Sequence, residues 1–268
     1  MQEVMNKSNP YLFEYGGQKF LTKDLVGALA AVGIGRGDKL FVHSDLRSFG
    51  RVNPKIKKKR YLDAFIQALV NLVGKRGTVI MPTFSYSFCR GEVFDPRKTP
   101  STVGSLTEYF RQLTGVVRTI DPIFSVAVWG ANQEFYQTVG SDCFGDKSIF
   151  QKIHDADFTI LFLGEIFSLT YLHFIEQDCH VPYRFIKKFT GKILIGDKLV
   201  KRTFDYFVRP LDGSVTYDLE GIASFLGHQG ILRKSKLGYS QVRLVGAQAV
   251  YKIIARKLRE TPRFLIEK

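Results

Sequence analysis

The run Phe158-Thr-Ile-Leu-Phe-Leu-Gly164 constrains this chain more than any other stretch. Its length and its β-branched and aromatic content are those of a core strand, and Gly164 lets the backbone turn sharply at the strand's end. A helix follows, starting at Ser168 or Thr170 within Ser168-Leu-Thr-Tyr-Leu-His-Phe-Ile-Glu-Gln177. On a helix, His173 and Glu176 lie three apart and share a face, where the carboxylate fixes the tautomer of the imidazole and raises its basicity. That is a general-base arrangement. A histidine tucked against a core helix beside a surface glutamate has the same short spacing, so spacing alone leaves both readings open.

The segments before this run alternate between strand and helix. Residues 22–33 read as an amphipathic helix with Thr22 as N-cap, Asp24 in the first turn and Gly33 as its stop. Lys39-Leu-Phe-Val-His43 is a short strand that delivers His43, Ser44 and Asp45 into the loop 44–50. Ligands of α/β proteins gather at the carboxyl ends of strands, which makes this loop a site candidate, with a plain strand-to-helix connection as the alternative. The basic run Arg51-Val-Asn-Pro-Lys-Ile-Lys-Lys-Lys-Arg60 precedes a helix over 61–74 that places Leu62, Phe65, Ile66, Leu69, Val70 and Val73 on one side. Lysines there oppose the helix macrodipole, so either an anion or plain solvation accounts for them.

A second strand spans 77–83, and the aromatic segment 84–88 either lines a cleft or packs. The spacing predicts a helix over 105–111 with a Ser105/Glu108 capping box, an Asp-Pro turn and strand within 118–130, and a short helix over 149–154. Beyond the central run, alternation around Gly191 and Gly196-Asp197 suggests an antiparallel hairpin or meander over 183–208. A helix over 217–227, a strand over 239–245 and a helix over 248–259 complete the pattern. No Pro-, Gly- or Ser-rich linker interrupts it, so residues 1–268 are expected to form a single domain of layered α/β type.

Composition narrows the function classes. With 268 residues, 45% of them hydrophobic, the chain can bury a sizeable core. Cys89, Cys143 and Cys179 are scattered, which indicates neither a disulfide framework nor a zinc site and fits a reducing cytoplasm. The N-terminal segment has no apolar signal-like stretch, and no segment approaches the roughly 20 apolar residues that span a bilayer. The net charge of +14 favours anionic partners. No RNA-binding or zinc-finger signature accompanies it, so nucleic acid is not the expected partner, and no histidine pair has metal-ligand spacing.

Several segments together resemble the antibiotic N-acetyltransferase family, which includes the aminoglycoside 3-N-acetyltransferases. They are Gly37-Asp-Lys-Leu-Phe-Val-His-Ser-Asp-Leu46 with Phe49-Gly50, Gly77-Thr-Val-Ile-Met-Pro-Thr83, Pro100-Ser-Thr-Val-Gly104, Arg118-Thr-Ile-Asp-Pro-Ile-Phe-Ser125 and Leu172-His-Phe-Ile-Glu176. The resemblance covers roughly residues 20–180 and implies an α/β/α sandwich with a mixed central sheet. It implies acyl transfer from acetyl-CoA to the amine of a sugar, with His173 as general base and Glu176 as its orienting carboxylate. It also implies a coenzyme cleft lined by His43, Ser44, Asp45, Leu46, Ser48, Phe49, Thr83 and Ser125, with the oxyanion donor in the loop after His43 or at Ser125. Lys57 and Lys58, where relatives often have a glycine pair, would meet the coenzyme phosphates.

Two departures bear on the acceptor. Relatives acting on aminoglycosides usually carry His-Pro where this chain has Asp121-Pro122, and two serines where it has Ser44-Asp45. Asp121 either binds a substrate ammonium or pairs with Arg118, and Tyr86 is the second candidate for acceptor binding. A chain at +14 repels polycations at long range and attracts a nucleotide-linked sugar. The expected activity is therefore N-acetylation of an amino sugar on a nucleotide or surface-polysaccharide precursor, with homodimer formation left open. Aminoglycoside resistance is the alternative, and a basic nucleic-acid- or partner-binding protein on the same scaffold is the non-enzyme one.

Overall fold

The computed structural model describes residues 10–165, 167 and 169–267. The chain opens with β1 (Phe13–Tyr15), β2 (Gln18–Phe20), α1 (Thr22–Ala31), β3 (Lys39–Ser44), β4 (Arg51–Val52), α2 (Lys58–Val73) and β5 (Thr78–Pro82). Next come α3 (Ser105–Arg111), β6 (Val117–Arg118), β7 (Val126–Gly130), α4 (Gln133–Gln137), α5 (Ile149–Asp155), β8 (Thr159–Leu163) and α6 (Leu172–Asp178). The last part holds β9 (Phe185–Ile195), β10 (Lys198–Val208), α7 (Leu219–His228), β11 (Arg233–Leu237), β12 (Ser240–Gly246) and α8 (Ala247–Glu260).

Seven strands form the central sheet in the order β11-β12-β8-β3-β5-β7-β6. The middle strands β8, β3 and β5 run parallel, and the pairings outside them are antiparallel. The sheet is mixed because only its centre is built by helical crossovers. Strand residues alternate between faces, so Leu40, Val42, Leu161 and Leu163 join one core while Phe41, Ile160 and Phe162 join the other. On the first face the apolar stripes of α1, α2 and α3 close over the sheet through Leu25, Phe65 and Phe110. On the second face α5, α6 and α8 do so through Ile153, Ile175 and Ile254. Each such buried side chain contributes about 1.5–3 kcal/mol, which holds both helical layers to the sheet. This is the α/β/α layering expected from the sequence.

Several local expectations need correction. Thr22 is the first helical residue of α1, not its cap; Leu21 takes the N-cap position and its N–H is bonded to the Asp24 carboxylate at 2.7 Å. Ser105 does not cap α3 either. Gly104 stands at that N-cap, and Glu108 instead accepts the Ser101 N–H at 2.7 Å and pairs with Arg111. Helix α2 starts at Lys58, so part of the basic run lies inside its first turn. The helix that carries His173 and Glu176 starts at Leu172, after a turn at Thr170-Tyr171; Ser168 lies outside the described residues.

The hairpin β9-β10 pairs Phe185 with Val208 through to Ile195 with Lys198, and it turns at Gly196-Asp197. Gly191 is not a turn. It sits in mid-strand opposite Arg202, where a Cβ would lie 2.6 Å from the Phe88 ring. The small sheet β2-β1-β4 and the edge strand β11 were not legible in the sequence, because their residues are mostly exposed and lack apolar alternation. Among the described residues no helix is long and apolar enough to cross a membrane.

Candidate active site

The parallel strands β3 and β8 are neighbours, with Ser44 opposite Leu163, so their carboxyl ends open at one edge of the sheet. Gly164 has φ +100°, and a Cβ there would strike the Asp45 carbonyl oxygen and the Ser48 hydroxyl. Only glycine permits this turn, which brings the chain back over the sheet edge into α6. The loop after β3 is stitched to the same turn. The Ser48 hydroxyl donates to the Asp45 carbonyl at 2.7 Å and accepts the Glu165 N–H at 2.9 Å, while the Asp45 N–H reaches the Leu163 carbonyl at 2.7 Å.

Helix α6 carries His173 and Glu176 on the face turned toward the hairpin β9-β10. His173 Nδ1 lies 2.7 Å from Glu176 Oε2, with the imidazole partly exposed at 21% of its side chain and the carboxylate fully buried. The carboxylate is held from every side. Tyr183 and Tyr217 donate their hydroxyls to Oε1 at 2.7 and 2.6 Å, and the Arg184 guanidinium approaches Oε2 at 3.0 Å. Arg184 itself is fixed by the Phe207 carbonyl at 2.6 Å and by the Tyr217 hydroxyl.

These partners settle the tautomer. An ionised carboxylate only accepts, so the proton between His173 and Glu176 belongs to Nδ1, and Nε2 keeps its lone pair. Arg184 Nη2 also lies 2.9 Å from Nδ1, but it has the Tyr217 oxygen as its acceptor and need not compete for that nitrogen. Burial lowers the His173 pKa, the Arg184 charge lowers it further, and the hydrogen bond and charge of Glu176 oppose them; the net effect is below the ordinary value. For Glu176, burial works upward but is outweighed by the hydrogen bond from His173, the His173 and Arg184 charges and the Tyr217 hydroxyl, so the carboxylate stays ionised. A neutral imidazole oriented by a buried anion is an arrangement that can take up a proton at neutral pH.

His173 opens onto a cavity of about 670 Å³, whose walls include Tyr86, Leu169, Arg184, Tyr206 and Tyr217. Alternate residues of the hairpin supply one side, since Phe185, Lys187 and Phe189 face inward with Tyr206 and Val208. Tyr86, singled out in the sequence, lies on this wall. Asp121 does not, and it makes no pair with Arg118. Its carboxylate accepts the N–H groups of Ile123 and Phe124 at 2.8 Å each, and burial raises its pKa to about 6.

Arg118 spends its guanidinium on the carbonyls of Pro96, Thr99 and Thr83 and on the Ser125 hydroxyl. Thr83 and Ser125 are fully buried, and the Ser125 hydroxyl donates to the Thr83 carbonyl at 2.8 Å. These hydroxyls are therefore committed to internal bonds, contrary to the expectation that they line an open cleft. His43 is likewise buried, stacked on Phe162 at 5.6 Å, and burial lowers its pKa to about 3. It stands beneath the loop as a neutral ring. Leu46 and Phe49 are buried in the core on the α2 side, whereas Lys57 and Lys58 are exposed. The Tyr61 hydroxyl reaches the Leu46 carbonyl at 3.2 Å, which sets the first turn of α2 beside the 44–49 loop.

The family model described as aminoglycoside 3-N-acetyltransferase matches residues 41–259. This chain belongs to that family. The N-acetyltransferase is 28% identical to aminoglycoside N(3)-acetyltransferase IV of a Salmonella species over 244 residues, covering 89% of this chain and 87% of the relative. It is also 28% identical over 206 residues to an SPbeta prophage-derived aminoglycoside N(3')-acetyltransferase-like protein of Bacillus subtilis, covering 66% of this chain and 71% of the relative. Among solved structures it is similar to a binary complex of AAC-IIIb with CoASH, with TM-score 0.77, 25% identity, and coverage of 89% of this chain and 96% of that one. The N-acetyltransferase is thus an enzyme with acetyl-CoA as cosubstrate. These relatives are named for aminoglycosides, and none of them for the nucleotide-linked sugar expected from net charge.

Tyr183, Arg184, Tyr206 and Tyr217 escaped the sequence reading. Tyr183 and Arg184 stand in the irregular segment between α6 and β9, where no periodicity says which way they point, and Tyr206 and Tyr217 reach the site from β10 and the loop before α7. The signal that existed was the period-two pattern of β9, which assigns Lys187 and Phe189 to one face.

Proposed function

We propose that this enzyme transfers the acetyl group of acetyl-CoA to an amine of an aminoglycoside-type amino sugar, with His173 as general base and Glu176 as its positioning residue. The observation that carries this reading is the 2.7 Å His173–Glu176 bond at the wall of the cavity, with Nε2 left free. His173 Nε2 takes a proton from the acceptor nitrogen as its lone pair attacks the thioester carbonyl carbon. The C–S bond then breaks, and coenzyme A leaves as the thiol after receiving that proton, so the base is regenerated. No cysteine is required: Cys89 lies on the cavity wall, but burial raises its thiol pKa to about 11, which keeps it from acting as a thiolate. The exposed Lys57 and Lys58 beside the 44–49 loop supply the cations suited to the coenzyme diphosphate. Free Cys89, Cys143 and Cys179 are in keeping with action in the cytoplasm.

The test is thiol release from acetyl-CoA with gentamicin as acceptor, for the enzyme and for His173→Ala. Loss of a general base lowers the rate about 100- to 10,000-fold. A folded His173→Ala enzyme that keeps its rate would refute the assignment.

A further inference from the structure

We propose that the hydroxyls of Tyr86 and Tyr206 form the oxyanion site of the acetyl transfer, both donating hydrogen bonds to the thioester carbonyl oxygen. This rests on the reading of the cavity beside His173 as the place where acetyl-CoA and the acceptor amine meet. As the amine nitrogen bonds to the carbonyl carbon, the carbon–oxygen π pair moves onto oxygen. It returns when the C–S bond breaks, and neither tyrosine gives up its proton. Donors fixed in advance around that oxygen stabilise the charge as it develops. The donors expected from the sequence are not on this wall. The Ser125 hydroxyl donates to the Thr83 carbonyl at 2.8 Å, His43 is buried against Phe162, and among the described residues none of the 44–50 loop lines the cavity. Four uncharged hydroxyls do line it, those of Tyr86, Thr170, Tyr206 and Tyr217. Tyr217 spends its proton on Glu176, and Thr170 is mostly buried in the turn before α6.

Tyr86 and Tyr206 differ from these two. Both are half-buried on the cavity wall, and neither hydroxyl has a hydrogen-bond partner among the described residues. Both rings pack edge-on against Phe124, Tyr86 at 5.4 Å and Tyr206 at 4.9 Å. Phe144 touches Tyr206 at 5.8 Å and His173 at 5.3 Å, so the two hydroxyls and the base are set around one aromatic floor. Tyr86 is held there against its own backbone preference. Its φ is +52°, while Ser85 and Ser87 on either side are fully buried and bond the carbonyls of Ile123 and Pro122. Strain of this kind persists where the surroundings over-determine it, and it gathers at functional sites. Burial pushes the Tyr86 pKa up, with Tyr206 adding to it, and raises that of Tyr206 to about 12, so both phenols stay protonated donors. A phenol in an apolar site is suited to an oxyanion.

The experiment measures kcat and both KM values by thiol release from acetyl-CoA with gentamicin, alongside melting temperature. It compares the enzyme with Tyr86→Phe, Tyr206→Phe, their double variant, Thr170→Val and His173→Ala. Phenylalanine keeps each ring and removes only the donor. We expect each single variant to lose about tenfold or more in kcat and the double variant about 100- to 1,000-fold, with both KM values within about threefold of the parent. Tyr206→Phe carries the test alone if Tyr86→Phe melts early. A double variant within about threefold of the parent kcat overturns the inference. So does a rise in KM for gentamicin at unchanged kcat, because the tyrosines then bind the acceptor. So does a kcat loss found in Thr170→Val and absent from the tyrosine variants. A folded His173→Ala that keeps its rate instead overturns the general-base reading, whatever the tyrosines do.

Discussion

Replacing Glu176 by Gln tests the heart of the site with almost no change of volume. The carboxylate accepts the His173 N–H at 2.7 Å and two tyrosine hydroxyls, and it neutralises Arg184. A hydrogen bond to a charged partner contributes about 1.5–3 kcal/mol. At 1.36 kcal/mol per factor of ten, loss of orientation alone slows the reaction roughly 10- to 150-fold. The larger effect comes from the amide nitrogen. Turned toward His173 it donates to Nδ1, forces the proton onto Nε2, and removes the lone pair that serves as base, so the full general-base contribution of about 100- to 10,000-fold is lost.

The same change leaves Arg184 buried without its anion, at a cost of about 3–5 kcal/mol in stability. Purified Glu176→Gln is therefore assayed by thiol release at 25 °C alongside urea unfolding, and compared with His173→Ala and the double variant. Groups that act as one unit are non-additive, so the double variant is expected to be no slower than His173→Ala. A folded Glu176→Gln enzyme within about threefold of the parent would defeat the reasoning, as would fully additive losses.

The pH dependence of kcat/KM should show an acidic limb below pH 6.5, the ordinary histidine value, because burial and Arg184 hold the His173 pKa down; a limb at or above 6.5 would contradict that. His43, at about 3 in the folded chain against 6.5 unfolded, has a depressed pKa, so its neutral form contributes stability above pH 6.5 that is lost as pH falls toward 3. His43→Phe is expected to flatten this part of a plot of melting temperature against pH, and an unchanged slope there would count against it. Asp121 works in the opposite sense: with its pKa raised to about 6, stability present below its unfolded value is lost as pH rises through 6, which Asp121→Asn should relieve in the same melts. Gly164→Ala forces a Cβ into the Asp45 carbonyl at positive φ and should destabilise the fold by about 1–3 kcal/mol, with a raised KM for acetyl-CoA from displacement of the 44–49 loop; wild-type melting would refute the strain argument.

What the sequence by itself determined were the features carried by local periodicity. The run Thr159–Leu163 is a central strand because its residues are apolar on both faces, and α2 lies on the sheet because its apolar residues recur at helical spacing. The His173–Glu176 pair was legible for the same reason, since three residues on a helix place two side chains together wherever that helix goes. Tertiary structure alone decided which polar residues face the cavity beside His173. Thr83, Ser125 and Asp121 sit in matched motifs yet spend their polar atoms inside the protein, while Arg184 comes to His173 from the segment just after α6 and Tyr217 from the loop before α7. Burial and hydrogen-bond partnership depend on what packs from the opposite side of a cavity, and no periodicity within one segment encodes that.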